Sequence, residues 1–103
     1  MNKVTVSPEK IAYWQKLVED NEHSAVLWSM AKYFRESLED AGCDKDACAF
    51  LEIEKQLKEI YIEHEETGSI SSENYARHYR LGCVLRIMIS ATSPKQADEI
   101  NRI

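Results

Sequence analysis

Among 103 residues there are only three glycines and two prolines. Sheets built from hairpins need a turn roughly every ten residues, and turns draw on those two residue types, so the scarcity argues against an all-β fold. Long apolar stretches are missing too: nothing approaches the roughly 18 apolar residues of a membrane helix. The start, Met1-Asn2-Lys3-Val4-Thr5-Val6, is too short and too polar for a signal peptide. Three cysteines, an odd number in such a chain, fit free thiols in a reducing compartment, so the expected location is cytoplasmic.

What is present suffices for one core. Apolar residues make up 44% and aromatics 9% of the chain, which is enough to bury a core in a single domain spanning 1–103. The net charge of −5 is unevenly spread. Residues 1–43 carry net −2, residues 44–70 net −5 and residues 71–103 net +2. An acidic total disfavours generic nucleic-acid binding, which needs clustered Lys and Arg against phosphate.

Punctuation cuts the chain into helices. Ser7-Pro8-Glu9 is a start signal, with Ser7 as cap and Pro8 in the first turn, where a missing N–H costs nothing. Ile11, Trp14, Leu17 and Val18 follow at helical spacing. Asp20-Asn21-Glu22-His23 reads as a turn rather than a bend, with Asp20 or Asn21 capping a second helix that runs to about Ala41. Its stripe is Leu27, Met30, Ala31, Phe34, Leu38 and Ala41. Gly42 suits a left-handed terminus, and Asp44 is placed to cap a third helix carrying Phe50, Ile53, Leu57, Ile60, Tyr61 and His64 up to Gly68. Ser69, Ser71 and Ser72 are candidate caps for a fourth helix reaching Ser90 or Ala91. Ser93-Pro94-Lys95-Gln96 repeats the start signal, with Gln96 in the capping-box position, for a short fifth helix that buries Ala97, Ile100 and Ile103. Connectors this brief join antiparallel neighbours. The expected fold is therefore all-α: a compact antiparallel bundle of four main helices plus a short C-terminal fifth.

Motifs for catalysis are weak. Cys43 and Cys48 are too widely spaced for a zinc pair, and an antiparallel third and fourth helix sets Cys83 level with about Lys55, some 10 Å from Cys48 along the axis. Glu59, Glu63 and Glu66 line one helix with Glu52 and Glu54 upstream, yet the fourth helix answers with Arg77, Arg80 and Arg86 rather than a second acidic pair for Mg²⁺. His23, His64 and His78 lack an adjacent Ser or Cys motif. Gly42, Gly68 and Gly82 are isolated, so no phosphate loop exists. No metal, cofactor or catalytic set is expected. A helix-turn-helix reading from His64 through Tyr79 and Arg80 fails at His64 and Asn74, which should be small and apolar respectively. Tyr75, Arg77, His78, Tyr79 and Arg80 still permit contact with phosphates or a stacked base.

Surplus apolar and aromatic surface carries the functional expectation. Leu81, Val84, Leu85, Met88 and Ile89 fill one face of the fourth helix, and Tyr79, Cys83 and Ile87 form a second stripe. Gly82 would admit a second backbone, and Arg86 would reach an acidic residue of a mate. Trp28 and Tyr33 stand off the stripe of the second helix, and Leu51 and Ile62 off that of the third. Tyr, Trp and Arg are the residue types enriched at binding hot spots. The expected protein interface is Tyr79, Cys83, Ile87, Arg86, Trp28 and Tyr33. A small non-enzymatic regulator follows, an inhibitor, anti-activator or adaptor that forms a homodimer and binds a larger protein target. The alternatives are a nucleic-acid-associated regulator working through the fourth helix and a small helical metal-dependent hydrolase.

Overall fold

A computed structural model describes residues 4–103, so the reading of Met1, Asn2 and Lys3 lies outside the described residues. The elements are α1 (Pro8–Glu19), α2 (His23–Asp40), α3 (Asp44–Thr67), α4 (Ser72–Thr92), a 3-10 turn (Pro94–Gln96) and α5 (Ala97–Asn101). The fold is an all-α bundle of four main helices and a short fifth, with no strand among the described residues.

Local chemistry explains most boundaries. Ser7 Oγ accepts from the Lys10 N–H and Pro8 sits in the first turn of α1. Asn21 takes φ 64°, a left-handed conformation that Asn tolerates better than most residues, and it separates α1 from α2. The expected caps there are corrected: Glu22 holds the N-cap position of α2 without a side-chain bond. Asp20 and Asn21 stand ahead of that position, outside capping reach, and Asp20 pairs with Lys16 at 3.8 Å instead. Asp44 is likewise displaced, because α3 starts one residue earlier than expected with Cys43 at its N-cap. Asp44 then lies in the first turn, where a carboxylate favours the helix dipole. For α4 the cap is Ser71, whose Oγ accepts from the Asn74 N–H.

The core is an antiparallel hairpin of α2 and α3, turned at Gly42 (φ 79°). Three pairs show the register: Phe34 stacks on Phe50 with centroids 5.8 Å apart, Trp28 meets Tyr61 at 5.0 Å, and Arg35 is ion-paired with Glu54. Met30, Phe34 and Leu38 of α2 and Phe50, Leu57 and Ile60 of α3 are fully buried. Each such side chain contributes roughly 1.5–3 kcal/mol of transfer free energy. Ala41, by contrast, is exposed, because α2 ends before it. Across α2 lies α1, whose buried Trp14 stacks near Phe34 and donates its Nε1–H to Ser29 Oγ at 3.1 Å.

The last elements close the other side. Leu85 and Ile89 of α4 and Ala97 and Ile100 of α5 enter the core together with Val4 and Val6. Ser93 holds the N-cap position of the 3-10 turn, but its side chain makes no cap bond; its Oγ donates to Gln96 Oε1 at 2.9 Å instead. No capping box forms because the Gln96 amide is committed to Val6, accepting from its N–H and donating to its carbonyl.

Candidate functional site on the open face of α4

Only one side of α4 is covered. Gly82, Leu85 and Ile89 are buried, Leu81 and Met88 half-buried. Gly82 lies on the covered side and lets α4 sit close to α2 of the same chain: a Cβ there would stand 3.1 Å from Leu27 Cδ1. That replaces the expectation that Gly82 admits a second backbone. Val84, expected inside, is 45% exposed, because a helix turned with Gly82 and Leu85 inward must carry Val84 outward.

The uncovered side holds Tyr75, Tyr79, Cys83 and Ile87 at i, i+4, i+8 and i+12, with Val84 beside them. At 1.5 Å per residue this row is about 18 Å long. Tyr79 is 68% and Ile87 70% exposed. Of the six large hydrophobic side chains exposed among the described residues, three (Tyr75, Tyr79 and Ile87) lie in this row and a fourth, Val84, lies beside it, so the exposure is contiguous rather than scattered.

The six interface residues read from the sequence divide into two groups. Tyr79, Cys83 and Ile87 stand together on the open face. Arg86 turns inward and donates from Nη1 to the Ile100 carbonyl at 3.0 Å, which ties α4 to α5 instead of leaving the guanidinium for a mate. Tyr33 packs edge-on against Trp14 and Phe34 and donates its hydroxyl to the Thr5 carbonyl at 2.9 Å. Trp28 is half-buried on Tyr61, with Lys32 Nζ 5.9 Å from its ring and no partner for its Nε1. Sequence reading missed Tyr75 and Val84. Tyr75 was legible one turn before Tyr79, whereas Val84 was not.

The carboxylates of α3 are partly engaged. Glu59 pairs with Arg77 at 3.2 Å. Glu63 accepts from the Ser71 N–H at 3.0 Å, and that bond, followed by the Asn74 side chain and the Arg77 charge, holds its carboxyl below the ordinary range. All three thiols are free. Among the described residues no three His, Cys, Asp or Glu side chains are grouped to hold a metal ion. Of the basic and aromatic group at the start of α4, Arg77 is thus engaged, while Tyr75, Tyr79 and Arg80 are exposed.

A second feature adjoins the row and has no trace in local sequence. Where α2 begins, α3 ends and α4 begins, a cavity of about 370 Å³ is lined by Asn21, His23, Ser24, His64, Ile70, Tyr75, His78 and Tyr79. All three histidines of the chain stand on this wall. They come from three helices, and only the antiparallel path brings them to one end. Burial, aided by the charge of His23, pushes the His78 imidazole below its ordinary value, and its Nδ1 is buried without a partner. Comparison with known protein families, with curated proteins and with solved structures finds no match for this chain.

Proposed function

We propose that this chain is a small non-enzymatic regulatory protein that works by protein–protein contact through the open face of α4, first with a second copy of itself and then with a larger target. The reading rests on the unbroken row of Tyr75, Tyr79, Cys83 and Ile87 with Val84 beside it. Contiguous apolar patches of this kind mark interaction sites on proteins whose remaining hydrophobic exposure is scattered. Tyrosines in the row offer large contact area at small conformational cost. Arg80 is exposed next to Tyr79 and carries no ion pair among the described residues, which suits a carboxylate on the partner. Three free thiols suit a cytoplasmic setting, and no described helix is long and apolar enough to cross a membrane.

Ile87→Glu tests the reading. Ile87 is 70% exposed in the single chain, so the variant keeps its helicity, and light scattering finds a monomer where the parent is a dimer. A parent chain that already runs as a monomer at tens of micromolar overturns the self-association step. Unchanged capture of the cellular target by the variant overturns the α4 surface as a whole.

A further inference from the structure

A groove runs between α1 and α2, and its two walls follow from helical spacing. Lys10, Tyr13 and Leu17 recur at i, i+3 and i+7 on α1, and Ala25, Ser29, Lys32 and Glu36 at i, i+4, i+7 and i+11 on α2. At 1.5 Å per residue the α2 wall is about 17 Å long. Two cavities of about 320 and 240 Å³ occupy the groove, and they share Tyr13, Ser29 and Lys32. No residue of α4 lines either one.

The two ends differ in chemistry. The larger cavity faces Lys10, Lys32 and Ser29. Lys10 Nζ sits 5.6 Å from the Tyr13 ring and 5.3 Å from the Tyr33 ring, and Lys32 Nζ 5.9 Å from the Trp28 ring. Ring faces attract ammonium groups, yet neither cation is paired with a carboxylate among the described residues. Ser29 Oγ accepts from the Trp14 indole at 3.1 Å, and a hydroxyl that accepts keeps its own proton to donate. The smaller cavity is walled by Leu17, Ala25, Trp28 and Tyr61, with the last two rings tilted against each other at 5.0 Å. Tyr13, 51% exposed, stands between the two. Carboxylates line the cavities only at the far ends, Glu36 on the larger and Glu22 on the smaller, each about 10 Å along α2 from Ser29.

The geometry points to a binding site for a small aromatic acid, its ring lodged against Tyr13, Trp28 and Tyr61 and its carboxylate or phosphate between Lys10, Lys32 and Ser29. A planar ring packs on aromatic walls through offset or edge contacts, and an acceptor-only acid group matches two ammonium groups and a hydroxyl. A ring alone would leave both ammonium groups without a counter-charge, and an acid alone would leave the apolar end unfilled. Together the two cavities reach the size of ordinary small-ligand sites, roughly 300–1,000 Å³. The site goes beyond the α4 reading and does not rest on it.

The test titrates five probes into the ¹⁵N-labelled full chain at neutral pH and constant ionic strength. 2-Naphthoate and 2-naphthyl phosphate carry ring and acid together, 2-naphthol lacks the acid, and acetate and inorganic phosphate lack the ring. Saturable shifts at the Tyr13, Ser29 and Lys32 amides and the Trp28 indole are expected with the two naphthyl acids. These should bind about tenfold more tightly than the other probes, and whichever binds better names the acid group. Lys32→Gln and Tyr13→Ala should each weaken the naphthyl acids about tenfold. Lys16→Gln removes the same charge from α1 outside the groove and should change affinity by less than about twofold. All three side chains are exposed, so thermal melts should match the parent. Shifts that do not saturate overturn the site, as does 2-naphthol or a bare acid binding as tightly as the naphthyl acids. Equal losses from Lys16→Gln and Lys32→Gln, or parent-like affinity in Lys32→Gln or Tyr13→Ala, overturn it too. Failure here leaves the α4 surface standing, since no α4 residue lines the groove.

Discussion

Gln96 holds Val6 across ninety residues of chain, its side-chain amide accepting the Val6 N–H at 2.7 Å and donating to the Val6 carbonyl at 2.6 Å. The glutamine thus plays the part of a neighbouring strand for one residue, satisfying both backbone groups of a buried valine.

Gln96→Ala removes both bonds and leaves two part-buried backbone groups unpaired. A loss of about 1–3 kcal/mol is expected, read from urea denaturation. Hydrogen exchange at the Val6 amide should rise more than exchange within the α2–α3 hairpin. Equal rises in both would show that the strap and the hairpin unfold together.

The caps differ in kind. Ser7→Ala and Ser71→Ala each remove a side-chain acceptor from a helix N-terminus and should each cost about 1 kcal/mol. Ser93→Ala removes a bond to Gln96 instead, so its effect should vanish in a Gln96→Ala background, while the Ser7 effect persists there. A double-mutant cycle checks the distinction.

The two sides of α4 should respond oppositely to truncation. Leu85 is fully buried, so Leu85→Ala should cost about 2–5 kcal/mol. Ile87→Ala on the open face should leave thermal stability within about 0.5 kcal/mol when measured at a concentration where the chain is monomeric. A comparable loss at both positions would contradict the orientation of the helix.

The stability of the fold should also follow two groups as pH falls. His78 is held below its ordinary value by burial, then by His23, so the folded chain disfavours its protonation. The stability this reflects is fully present above the unfolded value of about 6.5 and is lost as pH drops through the depressed folded value. Glu63 is also held low, by its bond from Ser71. Its contribution is present above the unfolded value of about 4.3 and disappears in stronger acid. Urea midpoints measured against pH in phosphate-free buffer should fall in two windows. His78→Gln should flatten the upper one and spare the lower.

Sequence patterning located the helices well because their ends carry specific chemistry, as at Ser7-Pro8, Gly42 and Gly68. It located caps less well where a turn shifted the frame by one or two residues, as at Asn21 and Cys43. On α4 periodicity failed for a physical reason: from Leu81 to Ile89 only Gly82 and Arg86 interrupt the apolar run, so composition could not choose which side faces the core. The close approach of Gly82 to Leu27 goes with the side that is covered, and it is a property of two helices at once. The histidine cavity was hidden in the same way. His23 and His64 stand far apart in the chain, and their meeting depends on the antiparallel path of α2 and α3. His78 joins them because α4 starts where α3 stops.

The α2–α3 hairpin is closed by a short turn at Gly42 and needs only neighbouring chain to form, whereas the bonds between Val6 and Gln96 join some of the most distant described residues. Contacts of short sequence separation form fast, and those of long separation wait for the loop between them to close. On a ribosome the segment around Val6 is synthesised early, yet its amide and carbonyl find their partner only after Gln96 has emerged. Of the ties on this segment, the one from Tyr33 to Thr5 can therefore form well before the one from Gln96 to Val6.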